Sequence, residues 1–284
     1  MLERAPNGFF VRDMMIFNHL RRGGYVAKGF IFEAPDLTNS PAADLNDFQD
    51  QLCLLLASLH ENQRLQVHFC DSDYKGELLR YQQETETFSN VWTKRARNER
   101  FSRYWQAMSE RKLRRQRVVF YVSRSLENVP KAFQSAAARR DYYNTLIDQL
   151  ETEFGHVHRL LLEIFGSGGA RILPMSDLDH FRHYKRFLNP SLNDRFDFDP
   201  ADGFAPELSI QENCWHSEGN GQSDFGFFLD GHYHSLIVLT RWPRTTYPGI
   251  IQRLTNLRLL DYTITVNVDP LARRFPGAGF VALA

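Results

Sequence analysis

The stretch FFLDGHYHSLIVLTRWP, residues 227 to 243, places His232 and His234 one residue apart, directly after Asp230-Gly231. Imidazoles at this spacing open many metal sites, where three or four nitrogen, oxygen or thiolate donors surround the ion. Asp-Gly is also the two-residue turn that favours a type I′ hairpin. Such a turn pairs Leu229 with His232 and Phe227 with His234, and side chains alternate between the faces of a strand. Phe225, Phe227, Leu229, His232, His234, Leu236 and Val238 then share one face, and Phe228, Tyr233, Ile237 and Leu239 take the other. The local carboxylates, Asp224 and Asp230, fall opposite the histidines, so no third ligand is at hand. Apolar residues on both faces imply a covered central strand, with Phe227, Leu229 and Leu236 in the core. The histidines are then scaffold.

The other reactive sets read the same way. His156 and His158 lie on a predicted helix, where residues two apart diverge by about 200° and cannot share an ion. Asp177, Asp179, His180 and His183 place two histidines on one helix face, but an acidic first turn also suits the helix dipole. Cys214 and His216 are two apart on an expected strand; a thiol nucleophile is one reading, a half-buried cysteine the commoner one. FGSGGARIL carries the glycines of a phosphate loop without its lysine and hydroxyl residue, and it follows a helix rather than a strand. A helix C-cap explains Gly166 better. No G-x-x-x-x-G-K-[ST] occurs anywhere in the 284 residues. No catalytic, cofactor-binding or metal-binding residue is therefore expected in this chain.

Charge shows one asymmetry. Between Lys94 and Arg117 stand ten basic residues (Lys94, Arg95, Arg97, Arg100, Arg103, Arg111, Lys112, Arg114, Arg115 and Arg117) against Glu99 and Glu110. Trp92, Tyr104 and Trp105 are interleaved with them. An unpaired buried charge costs several kcal/mol, so the stretch is expected on an exposed helix surface. An acidic protein partner or an anionic membrane surface fits such a patch. Nucleic acid fits less well, because the whole chain balances 34 basic against 34 acidic residues.

The elements that must carry these residues follow from periodicity. Strands are expected over 25 to 32, 65 to 70, 117 to 123, 208 to 215, 224 to 229, 232 to 240 and 262 to 268. Helices are expected over 41 to 59, 131 to 165, 175 to 188 and 246 to 258, with one long helix or two in line from 74 to 113. The fold class is α/β (α+β): a mixed sheet, part parallel and part hairpin, with long crossover helices and a C-terminal hairpin–helix–strand unit. The polar loop NDRFDFDPADGFAPE marks the boundary. An N-terminal α/β subdomain is expected over 1–190, a connecting loop over 191–207 and a C-terminal subdomain over 208–284.

Hydrophobic residues make up 43% of the chain, enough for a sizeable core. Three widely spaced cysteines, Cys53, Cys70 and Cys214, suit reduced thiols better than a disulfide framework. The first residues lack the apolar core of a signal peptide, and no apolar run approaches the length of a membrane span. A cytoplasmic protein is expected.

The order of elements resembles a known family. GYVAKGFIFE, a helix, LQVHFC and a long charged helix ending in RKLRRQRVVFYVS are similar to the N-terminal region of the large cytoplasmic ATPases of type IV secretion and conjugation, of the TraC, TrbE and CagE type. LIDQLETEFGHVHRLLLEIF followed by MSDLDHFRHYKRFLNPSL resembles that family's helix-loop-helix. FGFFLDGHYHSLIVLTRWPRTTYPGIIQRLTNLRLLDYTITVNVDP is the closest stretch, with its displayed Asp-Gly, its Trp-Pro exit, a helix and a strand ending near proline. The resemblance is one of pattern over nearly the whole chain, without an invariant motif.

It implies an interaction domain that precedes a motor, with ATP and magnesium held by the motor and not by these residues. GFVALA falls where the connection to that motor is expected, so the chain reads as the N-terminal domain of a longer ATPase. The implied partners are inner-membrane proteins of the secretion complex and other copies of the ATPase, with peripheral contact to the inner membrane. Competing readings are a metal-dependent hydrolase using His232 and His234, and a nucleic-acid-binding module using the basic helix.

Overall fold

A computed structural model describes residues 7–19, 23–33, 41–126, 134–166, 169–194, 203–214, 222–223, 226–235, 261–268 and 282–283. The elements are β1 (Asn7–Val11), β2 (Met14–His19), β3 (Gly23–Glu33), α1 (Ala42–Ser58), β4 (Gln63–Ser72), α2 (Lys75–Glu86), α3 (Val91–Ser109), β5 (Arg115–Leu126) and α4 (Ala136–Phe165). They continue with β6 (Arg171–Pro174), α5 (Asp177–Leu188), a 3-10 turn (Pro190–Asp194), α6 (Ile210–Cys214), β7 (Gln222–Ser223), β8 (Gly226–Leu229), β9 (His232–His234), β10 (Tyr262–Val268) and β11 (Ala282–Leu283). The chain has an α/β fold. Its larger sheet runs β1-β2-β3-β5-β4-β10-β11, and β7-β8-β9 form a small sheet of their own.

The long strand β3 organises the larger sheet. One edge pairs with β5 from Gly24↔Leu126 to Phe32↔Val118. The other edge is shared: β2 takes Gly23 to Ala27, and β6 takes Phe30 to Glu33. Every pairing whose register is defined is antiparallel. The helices α1 and α4 still cross between strands, but the strands they join are not neighbours in a parallel ladder.

Two of these strands left no signal in the sequence. β1 and β2 form a hairpin whose turn residues, Arg12 and Asp13, take left-handed backbone at φ 49° and 60°. Glycine or asparagine is usual there. Arg12 lies against Asp148 at 2.7 Å and Glu151 at 3.3 Å, and Asp13 accepts the Asp177 backbone N–H at 3.0 Å. Interactions outside the hairpin therefore support a turn that its own residues disfavour.

By contacts the chain groups into two units that interleave along the sequence. The first comprises 1–68, 118–177 and 266–283, and the second 69–117, 178–265 and residue 284. The core of the first unit joins Val26, Phe30 and Phe32 of β3 to Phe120 and Val122 of β5. Alternation puts these on one face, and α4 covers them with Leu150, Phe154, Leu161 and Phe165 at helical spacing. Phe32 stacks on Phe120 at 4.8 Å and meets the Phe165 edge at 5.2 Å. Leu55 of α1 is buried in the same cluster. Ser135 caps α4 by accepting the Ala138 N–H at 3.1 Å.

In the second unit, the helical stretch from 74 to 113 resolves into α2 and α3. Asn90 starts α3, accepting from the backbone of Trp92 at 2.9 Å and Thr93 at 3.1 Å. The expected strand over 208 to 215 is instead the short helix α6. Ser209 and Glu212 form a reciprocal capping box, with Ser209 N–H to Glu212 Oε2 at 2.9 Å and Glu212 N–H to Ser209 Oγ at 3.2 Å. The helix expected over 246 to 258 and most of the polar loop from 193 lie outside the described residues.

Candidate interaction surface

The basic stretch does not form one surface. It divides among three settings that follow from its secondary structure. Lys94, Arg95, Arg97, Arg100 and Arg103 belong to α3, Arg111 and Lys112 to the turn behind it, and Arg115 and Arg117 to β5, with Arg114 just before. A single exposed helix face is therefore the wrong geometry for residues beyond 110.

On α3 the cations differ in purpose. Arg97 is inward. Its guanidinium lies 4.0 Å from the Tyr81 ring centre and 4.7 Å from that of Phe88, and its Nε donates to Thr85 Oγ1 at 2.9 Å. Lys94 pairs with Glu86, and Arg95 with Glu99 one turn on at 3.3 Å. Arg100 and Arg103 are exposed, and neither forms an ion pair with a described residue.

Not one residue of α3 is buried, over 19 residues. A helix normally owes most of its stability to an apolar face packed on a core. Here apolar bulk stands outside: Trp92 is 78% and Val91 76% exposed, and Phe88 and Tyr104 are also exposed. Trp92, Glu99 and Arg103 fall on one stripe by helical spacing, with Arg95 and Arg100 to either side. Beside them a shallow open groove is lined by Phe88, Val91, Lys94, Arg95, Asn98 and Ser102.

The turn after α3 closes with paired backbone bonds. Lys112 N–H reaches Ala107 O at 2.7 Å and Arg111 N–H reaches Met108 O at 2.8 Å, the Schellman arrangement. Arg111 takes the left-handed position at φ 57°, where glycine is usual. Lys112 pairs with Glu110 at 2.5 Å, and that cation together with the Gln106 amide holds the Glu110 carboxyl below its usual range.

Arg114 and Arg115 are structural. Arg114 Nε donates to Asp71 Oδ1 at 2.6 Å and its Nη2 to Asp261 Oδ1 at 3.0 Å. Gln116 donates to the second Asp71 oxygen at 3.1 Å, so a buried carboxylate is satisfied on both sides. Burial, reinforced by Asp73, raises the Asp261 carboxyl above its ordinary range. Arg115 pairs with Glu77 of α2.

The histidine pair sits where the turn chemistry puts it. Phe227↔His234 and Leu229↔His232 are cross-strand partners, and Asp230 and Gly231 have φ 52° and 74°. The shared face also holds, since the Phe227 and His234 rings stack at 5.2 Å. Burial does not follow the expectation. Leu229 is buried, but Phe227 is 43% and Phe228 46% exposed, so Phe227 is not core. The small sheet is exposed on both faces at this end; Leu236 and Asp224 lie outside the described residues. Asp230 faces elsewhere, accepting the Ser191 backbone N–H at 2.8 Å. Burial, and then the neighbouring His232, lowers the His234 imidazole below its ordinary range.

Cys214 ends a helix rather than occupying a strand, is fully buried, and has its thiol pushed up to about 12 by burial. That removes it as a nucleophile at neutral pH; His216 lies outside the described residues. His180 and His183 are both buried on α5. Among the described residues no three His, Cys, Asp or Glu side chains cluster closely enough to hold a metal ion. No helix among them is long and apolar enough to cross a membrane.

Comparison with protein-family models and with curated proteins finds no match for the chain.

Proposed function

We propose that this chain is a non-catalytic assembly domain of a type IV secretion or conjugation ATPase, and that α3 is the surface by which it docks. The observation that carries the docking surface is α3 itself, 19 residues with none buried. Its outward side combines Trp92 with Arg95, Arg100 and Arg103, and tryptophan and arginine are the residues most often decisive at protein interfaces. The cations select an acidic partner, steer its approach and make the contact sensitive to salt. The family reading rests on the resemblance in element order, in which an interaction domain precedes the motor. On that reading the partners are inner-membrane proteins of the secretion complex, with further contacts between ATPase subunits. The protein works in the cytoplasm against the inner membrane. ATP and magnesium belong to a motor domain, so this chain by itself should not bind magnesium-ATP in the micromolar range.

A photo-cross-linking amino acid in place of Trp92 tests the surface in cells that carry the transfer genes. It should capture a component of the inner-membrane complex. The same group in place of Leu54, exposed on α1, should capture none. Equal capture from both positions would remove α3 as the docking surface.

A further inference from the structure

A cavity of about 260 Å³ opens between the β1–β2 turn, β3 and α4, all within the first unit. Its wall is apolar where Met14, Phe30 and Phe154, all buried, face it. Four charged residues also line it, Arg12 and Lys28 against Asp13 and Glu151. They are unequally exposed. The Lys28 side chain is 13% exposed, while those of Asp13 and Glu151 are 53% and 42% exposed.

Three features of this cavity work against the stability of the fold. Arg12 and Asp13 hold left-handed turn positions that glycine or asparagine would take at lower cost, so two charged side chains are kept there under strain. Gly155 stands in the middle of α4, where alanine is the better helix former. A Cβ at Gly155 would meet nothing within 4 Å, so no contact demands glycine, and its bare backbone leaves the cavity open. Lys28 is the third. Its ion-pair partner, Asp13 Oδ2, is 3.8 Å away, beyond hydrogen-bond length. Burial lowers the Lys28 ammonium below its ordinary range, against the pull of Asp13, Asp177 and Glu151.

Size and chemistry together describe the occupant. The volume is roughly nine times the liquid share of one water, and below the roughly 300 Å³ at which pockets for drug-sized ligands begin. That suits a small organic molecule rather than a single ion. The buried ammonium of Lys28 calls for a close anionic acceptor. Asp13 and Glu151, nearer to solvent, suit a cation, and the apolar wall suits a hydrocarbon group. We infer that the cavity is a binding site for a free amino acid with an apolar side chain, its carboxylate on Lys28 and its ammonium toward Asp13 and Glu151. The site does not involve α3, which belongs to the second unit.

Isothermal titration of the whole chain with L-leucine, L-methionine and L-phenylalanine tests the site. At least one of the three is expected to bind saturably. Its amide lacks the carboxylate and its N-acetyl derivative lacks the ammonium. Each should bind about tenfold more weakly, the loss of one charge-assisted contact. Lys28→Met should weaken binding by a similar factor. Gly155→Leu should block the cavity while raising the Tm of the unliganded protein, because leucine is the better helix former. It covers the case in which Lys28→Met fails to fold. Arg100→Ala with Arg103→Ala should leave binding unchanged. No saturable binding of any of the three amino acids would mean that the cavity holds water alone, and would overturn the site. Equal affinity for an amino acid and its amide would overturn it too, as would wild-type binding in each of the two cavity variants that folds.

Discussion

Arg114 donates to the buried carboxylate of Asp71 at 2.6 Å and carries Asp261 on its other nitrogen. Reversing it to glutamate would set three carboxylates together with no cation between them. Arg114→Glu is therefore expected to destabilise the chain by about 3–5 kcal/mol, as when one partner of a buried pair is removed. Arg100→Glu and Arg103→Glu, on exposed helix surface, should each stay within about 0.5 kcal/mol. Urea unfolding of the three variants separates the structural cations from the free ones.

The contrast shows what charge density in a sequence can say. Ten cations in a short stretch cannot all be buried, and that inference holds for Arg95, Arg100 and Arg103. It could not place Arg114, because its partners Asp71 and Asp261 are distant in sequence and meet only through the fold. The β8–β9 register, by contrast, was legible to the residue, since Asp-Gly fixes a turn and a turn fixes alternation. The β1–β2 hairpin was not legible, because Arg12-Asp13 lacks turn chemistry and depends on Asp148, Glu151 and Asp177. The α6 helix had a signal that strand alternation masked: Ser209-Ile210-Gln211-Glu212 is a capping box.

Arg111 occupies a left-handed position that costs an L-residue about 1–2 kcal/mol. Arg111→Gly should stabilise the protein by about 1 kcal/mol, seen as a higher midpoint in urea with an unchanged slope. A lower midpoint would mean that the side chain's own contacts outweigh the backbone strain.

Exposure ranks the hairpin substitutions. Leu229→Ala, at a buried position, is expected to cost about 2–3 kcal/mol. Phe227→Ala should cost about 1 kcal/mol, because the ring is only half covered. Gly226→Ala should be the most disruptive locally, since a Cβ there would stand 2.1 Å from the His234 carbonyl oxygen. Thermal melts of the three variants should give that contrast, with Phe227→Ala the mildest.

Burial lowers His68 from its ordinary value to about 4, and its ring packs on Tyr121 at 5.2 Å. Between pH 6.5 and pH 4 the unfolded chain binds the proton that the folded chain refuses. Stability is therefore complete above about pH 6.5 and falls as pH drops toward 4, by about 3 kcal/mol for this group. In His68→Leu that share of the acid sensitivity should disappear, which unfolding at pH 7 and pH 5 in both proteins would measure.

Hydrogen exchange on α3 tests the docking surface most directly. Amide exchange would be followed by mass spectrometry with inner-membrane vesicles from cells that contain the secretion complex, and with vesicles from cells that lack it. Docking through α3 should slow exchange across residues 91–109 with the first vesicles alone, and added salt should reverse the effect. Unchanged exchange in that helix, with protection falling instead on the larger sheet, would contradict it.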